Sequence, residues 1–352
     1  MRYIIPLLLL LTITLSGCNQ RYDAREFGLK ATGKVGEILL VCENGIWNSP
    51  AKAYLDTNMT RFIMPYFPDV VTFELIHRTP GAFEKGNKRW RNLMFVEIDP
   101  KYQGEESEIT KELDTWAQGQ LVVRVKAKDY QQLEYSLKNH LAAVHRTFDE
   151  NEWQRLEERF QREKNQTICR QIKQKFGLDM ALPKGSKLVT QRENFYRVEF
   201  PTDAKPMQFG ENHGQTSNFI QSGICIYQYP YIDSSQFELS NLLQARDTMM
   251  KYNFKHEIPG IYMGTQYASV IYPEGSMDWN RKKTTKGFEM RGMFKFTGES
   301  AYSTGGAFWA FHFRNKQGKL VCVSGYVDAP PTVSWTHPLR EIQAILKSVE
   351  AN

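Results

Sequence analysis

The chain has 352 residues, 41% of them apolar and 13% aromatic, which is ample for a packed core and excludes a disordered polar segment. Its formal net charge of +6 is spread thinly. The densest basic stretch, Arg281-Lys282-Lys283 with Lys286, is short and has no interleaved aromatics, so a nucleic-acid surface is excluded as well.

The first element is an export signal. Arg2 supplies a positive start, and residues 4–15 form an almost purely apolar run that is too short to span a bilayer. Leu15-Ser16-Gly17-Cys18 closes it in the form of a bacterial lipobox. The expectation is cleavage after residue 17 and lipid attachment at Cys18. Two or more acyl chains on Cys18 hold a protein stably at a membrane. Residues 18–34 read as a polar tether.

Residues 35–182 alternate elements. Ile38, Leu39, Leu40 and Val41 make a buried strand. Ser49-Pro50 opens a helix that stops before Pro65. Residues 70–76, 93–98 and 121–125 read as strands, with a short helix predicted over 108–117. From residue 129 the apolar period becomes helical through Leu133, Leu137, Leu141, Val144 and Phe148, then Trp153, Leu156 and Phe160. Asp149-Glu150-Asn151 is read as a break between two long helices, the second ended by Gly177. The result is a mixed α/β sandwich.

Pro183-Lys184-Gly185-Ser186 is read as the boundary to a second domain over 183–352. Tyr196, Val198 and Phe200 alternate, as do Ile220, Ile224 and Ile226 around Gly223. Ser235-Gln236-Phe237-Glu238 is read as a capping box for a helix carrying Leu242, Leu243 and Met249. Strands follow at 267–272 and 288–296, then a hairpin over 307–314 and 319–327. A last helix from about residue 338 presents Leu339, Ile342, Leu346 and Val349. This predicts an antiparallel sheet covered by helices, and an α+β fold for the whole chain.

Motifs for metal, nucleotide and nucleophilic chemistry are missing. His140 and His145 stand five apart, where a zincin helix needs four. There is no C-x-x-C, no G-x-S-x-G elbow, no G-x-G-x-x-G and no phosphate-binding loop, so no cofactor is indicated. Ser222-Gly223 and Ser324-Gly325 read as close-packed strand positions. Cys42, Cys169, Cys225 and Cys322 sit in apolar surroundings, with Cys225 and Cys322 the pair to test for a disulfide.

A set of short blocks is spread along the chain, with no internal repeat. They are Gly36-Glu37-Ile38, Arg91-Asn92-Leu93, Trp116-Ala117-Gln118-Gly119-Gln120, GICIYQYPY over 223–231, Arg246-Asp247 and Ile258-Pro259-Gly260. Further on come Glu289-Met290-Arg291-Gly292, Gly305-Gly306-Ala307-Phe308, GYVDAP over 325–330 and Arg340-Glu341-Ile342. Together they resemble a family of Bacteroidota lipoproteins catalogued as domain of unknown function 4837. Gly119, Ala307 and His337-Pro338 depart from that family's usual residues. The resemblance implies no activity. It implies that an acidic run after Cys18 directs such lipoproteins to the cell surface, so its absence here points to the periplasmic face of the outer membrane. Asp247-Thr248-Met249 also fits an O-glycosylation signal of that bacterial group, here in mid-helix.

Charged residues within these otherwise apolar blocks are the candidate site: Arg91, Arg246, Asp247, Glu289, Arg291, Arg340 and Glu341. An arginine is costly to bury unpaired, so these are expected either to form structural ion pairs or to line a cleft for an anionic ligand or a partner's carboxylate. Trp90, Trp116, Tyr227, Tyr229, Tyr231, Trp309 and Phe311 are the aromatics available to wall such a cleft. The functional expectation is an outer-membrane-anchored, non-catalytic binding or assembly module with an envelope protein as partner. One alternative is a hydrolase acting on glycan or peptide, which requires Glu289 to converge with Asp247 or Glu341. Another is a small-ligand carrier, which requires a large apolar pocket near Tyr227 and Trp309.

Overall fold

The computed structural model describes residues 28–67, 69–201, 203–206, 217–254, 256, 258–280, 282–298, 305–330 and 333–351. The expected export signal and Cys18 lie outside the described residues, as do Arg281 and most of the expected tether.

The first strand, β1 (Glu37–Val41), is buried along its whole length. It is followed by α1 (Asn44–Trp47), α2 (Ala51–Met59), β2 (Glu74–Arg78), β3 (Asn92–Ile98), β4 (Glu108–Leu113) and β5 (Leu121–Ala127). These strands make a five-stranded sheet in the order β2-β1-β3-β5-β4. All pairings are parallel except that of β4, which runs antiparallel to β5. Residues 108–113 are therefore an edge strand and not the predicted helix. Glu108, Lys111 and Glu112 blunt that edge, as charges on an unpaired strand do.

The helix after β5 is continuous. α3 (Tyr130–Arg162) runs 33 residues, about 50 Å at 1.5 Å per residue, through the expected break at 149–151. Asp129 caps it by accepting from Gln132 N at 2.8 Å. The break comes instead at Asn165, which caps α4 (Gln166–Phe176), and Gly177 ends that helix in the left-handed conformation at φ 69°. The first half of α3 covers the N-terminal sheet through Leu133, Leu137, Leu141, Val144 and Phe148. Its second half, through Trp153, Leu156 and Phe160, enters a different core together with α4.

That second core belongs to the C-terminal sheet. After β6 (Leu178–Asp179) come β7 (Lys187–Arg192), β8 (Phe195–Glu199), β9 (Asp203–Pro206) and β10 (Ser217–Pro230). Then follow α5 (Leu239–Asn253), β11 (Tyr262–Ile271), β12 (Met277–Asp278), β13 (Lys286–Thr297), β14 (Gly305–Arg314) and β15 (Lys319–Asp328). α6 (Thr336–Lys347) and β16 (Glu350–Ala351) close the chain. The nine-stranded sheet is antiparallel, with the path β11-β13-β14-β15-β10-β8-β7 and with β9 and β12 on its flanks. Strand alternation sends Cys225, Tyr227, Met290, Phe294 and Phe308 toward α5. It sends Ile224, Ile226, Met293, Trp309 and Phe311 toward α6, α4 and the end of α3. The fold is thus α+β: a mixed α/β unit, and an antiparallel sheet covered by helices on both faces.

The box at residues 235–238 is displaced. Asp233 and Gln236 form a reciprocal capping box around a short 3₁₀ turn (Ser234–Phe237), and α5 starts without a side-chain cap.

Candidate functional site

The charged residues fall in three places. The first lies between the two units. Glu152 on α3 is fully buried and sits at the centre of a polar cluster. Arg91 pairs with its Oε1 at 2.5 Å. Arg155 Nη2 and Asn92 Nδ2 donate to Oε2 at 2.8 and 2.9 Å. Arg155 also donates to the carbonyls of Arg91 and Gly119 at 2.9 and 2.7 Å. Burial pushes the Glu152 pKa up, but Arg155, Arg91, Arg340 and Asn92 outweigh it and hold it below the ordinary glutamate range. Burial, reinforced by Arg91 and Arg340, brings Arg155 down to about 10 against the pull of Glu152. Arg340 on α6 is 1% exposed; its Nη2 donates to Asp149 Oδ1 at 2.5 Å and its Nη1 to the Thr72 carbonyl at 3.1 Å. Its guanidinium lies 4.5 Å from the Phe73 ring and 5.2 Å from Trp153.

The second place is the α6 face of the large sheet. Glu289 and Arg291 pair at 2.8 Å, and the Arg291 guanidinium lies 5.1 Å from the Trp309 ring. Burial raises the Glu289 pKa, against the opposing charges of Arg291 and Lys347. Glu341 on α6 is held by Arg159 and, at 3.3 Å, by His337. It lines a cleft of about 420 Å³ with Lys34, Glu37, Glu74, Ser334 and His337.

The third place is the opposite face, under α5. Arg246 is completely buried; it donates to Thr265 Oγ1 at 2.6 Å and stacks 3.9 Å from the Phe308 ring. Its neighbour Asp247 accepts from Thr265 Oγ1 at 2.5 Å and from the Tyr267 hydroxyl. That hydrogen bond, with some burial, pushes the Tyr267 pKa up to about 12. Asp247 opens into a groove of about 600 Å³ lined by Gln244, Lys251, Tyr252, Tyr262 and Tyr267. Tyr252 and Tyr267 are 66% and 61% exposed.

Asp247 and Glu289 lie on opposite faces of one sheet, and each has an arginine of its own. Glu341 is closed by Arg159. The three carboxylates considered for a hydrolase do not share either of these openings: Glu341 lines one, Asp247 the other, and Glu289 neither. Tyr227 and Trp309 are also on opposite faces, and both are buried in packed cores. Trp90 and Trp116 belong to a smaller cluster on the far face of the N-terminal sheet with Phe83 and Phe95. Tyr229 lines a shallow groove with Gln236, Asn241 and Thr248, while Tyr231 and Phe311 pack into the two cores of the large sheet.

All four described cysteines are buried free thiols. Cys225 stands opposite Ser324, and Cys322 opposite Tyr227, so the suggested pair is offset by two residues on adjacent strands. Such diagonal neighbours are about 7–8 Å apart, beyond the Cα separation of an unstrained disulfide. Burial pushes the Cys225 thiol up to about 12 and raises Cys322 as well. Among the described residues no group of three or more His, Cys, Asp or Glu is placed to hold a metal ion.

Sequence reasoning passed over Glu152 and Arg155, and met Asn92 only as part of a block. Their signal was present: Glu152 falls four residues after Phe148, on the apolar stripe of α3, where a lone carboxylate has to be buried with partners. The tyrosines of the α5 groove carried no comparable signal, since their exposure depends on where α5 crosses β11.

Two family models match the chain. Domain of unknown function (DUF8532) matches residues 31–161. Domain of unknown function (DUF4837) matches residues 165–348. No curated protein matches it. The blocks at 36–38, 91–93 and 116–120 fall within the first match, and those from 223 onward fall within the second. The changeover between the models lies in the short link between α3 and α4, where the packing passes to the large sheet. The second match covers just over half of the chain, with α4, the nine-stranded sheet and α6, and the protein belongs to the family of Domain of unknown function (DUF4837).

Proposed function

We propose that this protein is a non-catalytic binding or assembly module of the cell envelope, attached to the outer membrane by lipid on Cys18 and facing the periplasm. The observation that carries the reading is the pairing of its buried and half-buried carboxylates. Glu152, Asp149, Glu289 and Glu341 are each held by arginines of the fold itself. Groups so paired have little freedom to exchange protons with a substrate, and two of the pairs, Asp149 with Arg340 and Glu341 with Arg159, tie the long helix of the first unit to the last helix of the second. The groove beside Asp247 supports the binding role. Its volume lies in the usual range for ligand sites, and it combines exposed tyrosine faces with a carboxylate and polar donors.

The test is affinity purification of the full-length, lipidated protein from crosslinked native membranes, with Cys18→Ala and Tyr252→Ser/Tyr267→Ser variants in parallel. A stoichiometric partner retained by the wild type and lost from the tyrosine variant supports the reading. Recovery of the wild type without a partner overturns the assembly role, and a Cys18→Ala protein that stays in the membrane fraction overturns the anchor.

A further inference from the structure

The segment between α2 and β2 presents its apolar residues outward in a way that packing does not explain. Ile63 and Tyr66 point into the core shared with the large sheet, whereas Phe62, Met64 and Phe67 are 63%, 59% and 76% exposed. Isolated exposed hydrophobics are ordinary, but three within six residues on one loop make a patch. The loop is held firmly. Ile63 N donates to the Val70 carbonyl at 2.7 Å and Thr72 N to the Arg61 carbonyl at 2.8 Å. The Tyr66 hydroxyl donates to the Phe308 carbonyl at 3.0 Å. These bonds tie both ends of the loop and Tyr66 to the fold, so less ordering is left for a binding event to accomplish.

The position of the loop relative to the chain's entry into the fold is informative. Residues 28–36 run along the edge where the parallel strands begin, with Ala31 and Thr32 bonded beside Gln118 and Arg89, just ahead of β5 and β3. Gly36 accepts from Glu74 N at 2.8 Å at the start of β2, and a side chain at Gly36 would meet Thr336 and come within 3.6 Å of the Thr72 carbonyl. The loop at 61–72 thus leaves the sheet at the end where the tether arrives. The ten steps from Cys18 to Gly28 span at most about 35 Å. Lys30 and Arg61 are exposed at the same end, and Asp69 is the one acidic residue of residues 61–72.

We propose that Phe62, Met64 and Phe67 form a second membrane contact, seated among the headgroups of the leaflet that holds Cys18, with Lys30 and Arg61 against anionic lipid. Aromatic and thioether side chains on an anchored loop suit the interfacial layer, and the loop then fixes the orientation of the fold on the bilayer. The inference rests on the lipid anchor proposed above.

The experiment uses full-length lipidated protein in phosphatidylethanolamine/phosphatidylglycerol vesicles. An environment-sensitive fluorophore is placed at Phe67→Cys and, as control, at Ile232→Cys, which is 78% exposed. The four native thiols are buried, so labelling is selective. The expected result is flotation of both proteins with the vesicles, with a blue-shifted emission at position 67 quenched several-fold more by headgroup-labelled lipid than at position 232. Adding Phe62→Ser to the Phe67 probe should lessen the shift. Flotation with water-like emission at both positions overturns the loop contact and leaves the anchor standing. Shielding at 67 that appears only with membrane extract assigns the patch to a protein partner and overturns the lipid assignment. Absence of flotation overturns the anchor, and the loop contact with it.

Discussion

Glu152 illustrates how a single side chain decides the role of its surroundings. It is enclosed by Arg91, Arg155 and Asn92, and removing it leaves two largely buried guanidinium groups without a counter-charge. Loss of one partner from such a cluster costs about 3–5 kcal/mol, and Glu152→Ala is expected to fall in that range. The pH dependence has a definite sign. The folded-state pKa lies below the ordinary value of 4.5, so the unfolded chain binds the proton first as pH falls. The stability that Glu152 contributes is complete above about pH 4.5 and is lost as pH drops through the folded value. Urea unfolding of the wild type and Glu152→Gln from pH 7 to pH 3 should therefore show a gap in midpoint that narrows only below about pH 4.5. A gap of constant size would mean that the arginines do not shift the Glu152 carboxyl from its unfolded-state pKa, and a gap that widens toward low pH would mean that burial keeps it protonated.

At the scale of elements, α3 connects two packing environments. Its stripe leaves the N-terminal core at Phe148 and enters the inter-unit core at Trp153. A proline at position 151 would remove one helical hydrogen bond and clash with the preceding turn, for about 3 kcal/mol or more. Asn151→Pro should lower the unfolding midpoint and separate the hydrogen exchange of residues 37–127 from that of residues 187–328. A single, merely shifted transition with uniform exchange would show that the helix does not couple the units. The same helix marks the limit of what the residues disclosed. The buried strand at 38–41, the hairpin around Asn315–Gly318 and the final amphipathic helix were legible because each carries its period in its own apolar residues. The run at 149–152 was not legible, because Asp149 is partnered by Arg340 and Glu152 by Arg91 as well as by its helix neighbour Arg155, and Arg340 and Arg91 are distant in sequence. Residues 108–113 read as helix for a related reason. An edge strand open to water has no apolar face to alternate, and its Glu, Lys and Leu favour helix locally. The candidate charged residues were identifiable as a set, but their division among three separate places follows from strand register and helix placement, which pair residues distant in sequence.

The whole molecule depends on contacts that join its two sheets through side chains. Tyr66 reaches the carbonyl of Phe308, Thr336 Oγ1 donates to the Val71 carbonyl at 3.0 Å, and Arg159 pairs with Glu341. Arg340 does most to combine them, because it touches α3 through Asp149 and Trp153 and the approach to β2 through Thr72 and Phe73. Asp149 is 31% exposed, so water can solvate its charge when Arg340 is absent. The loss in a variant should then arise from the stacked guanidinium plane and from the Thr72 carbonyl left without its donor, more than from the ion pair. This gives an order that electrostatics alone would reverse. Arg340→Lys keeps the charge but loses the planar stack, while Arg340→Met keeps the bulk between Phe73 and Trp153 and loses the charge. Arg340→Met is expected to be at least as stable as Arg340→Lys, with Arg340→Ala the weakest by about 2–4 kcal/mol relative to wild type. Thermal and urea unfolding of the three variants would check the order. If lysine restored most of the wild-type stability while methionine behaved like alanine, the joint between the sheets would be held by charge, and ionic strength would then regulate how the two units sit together.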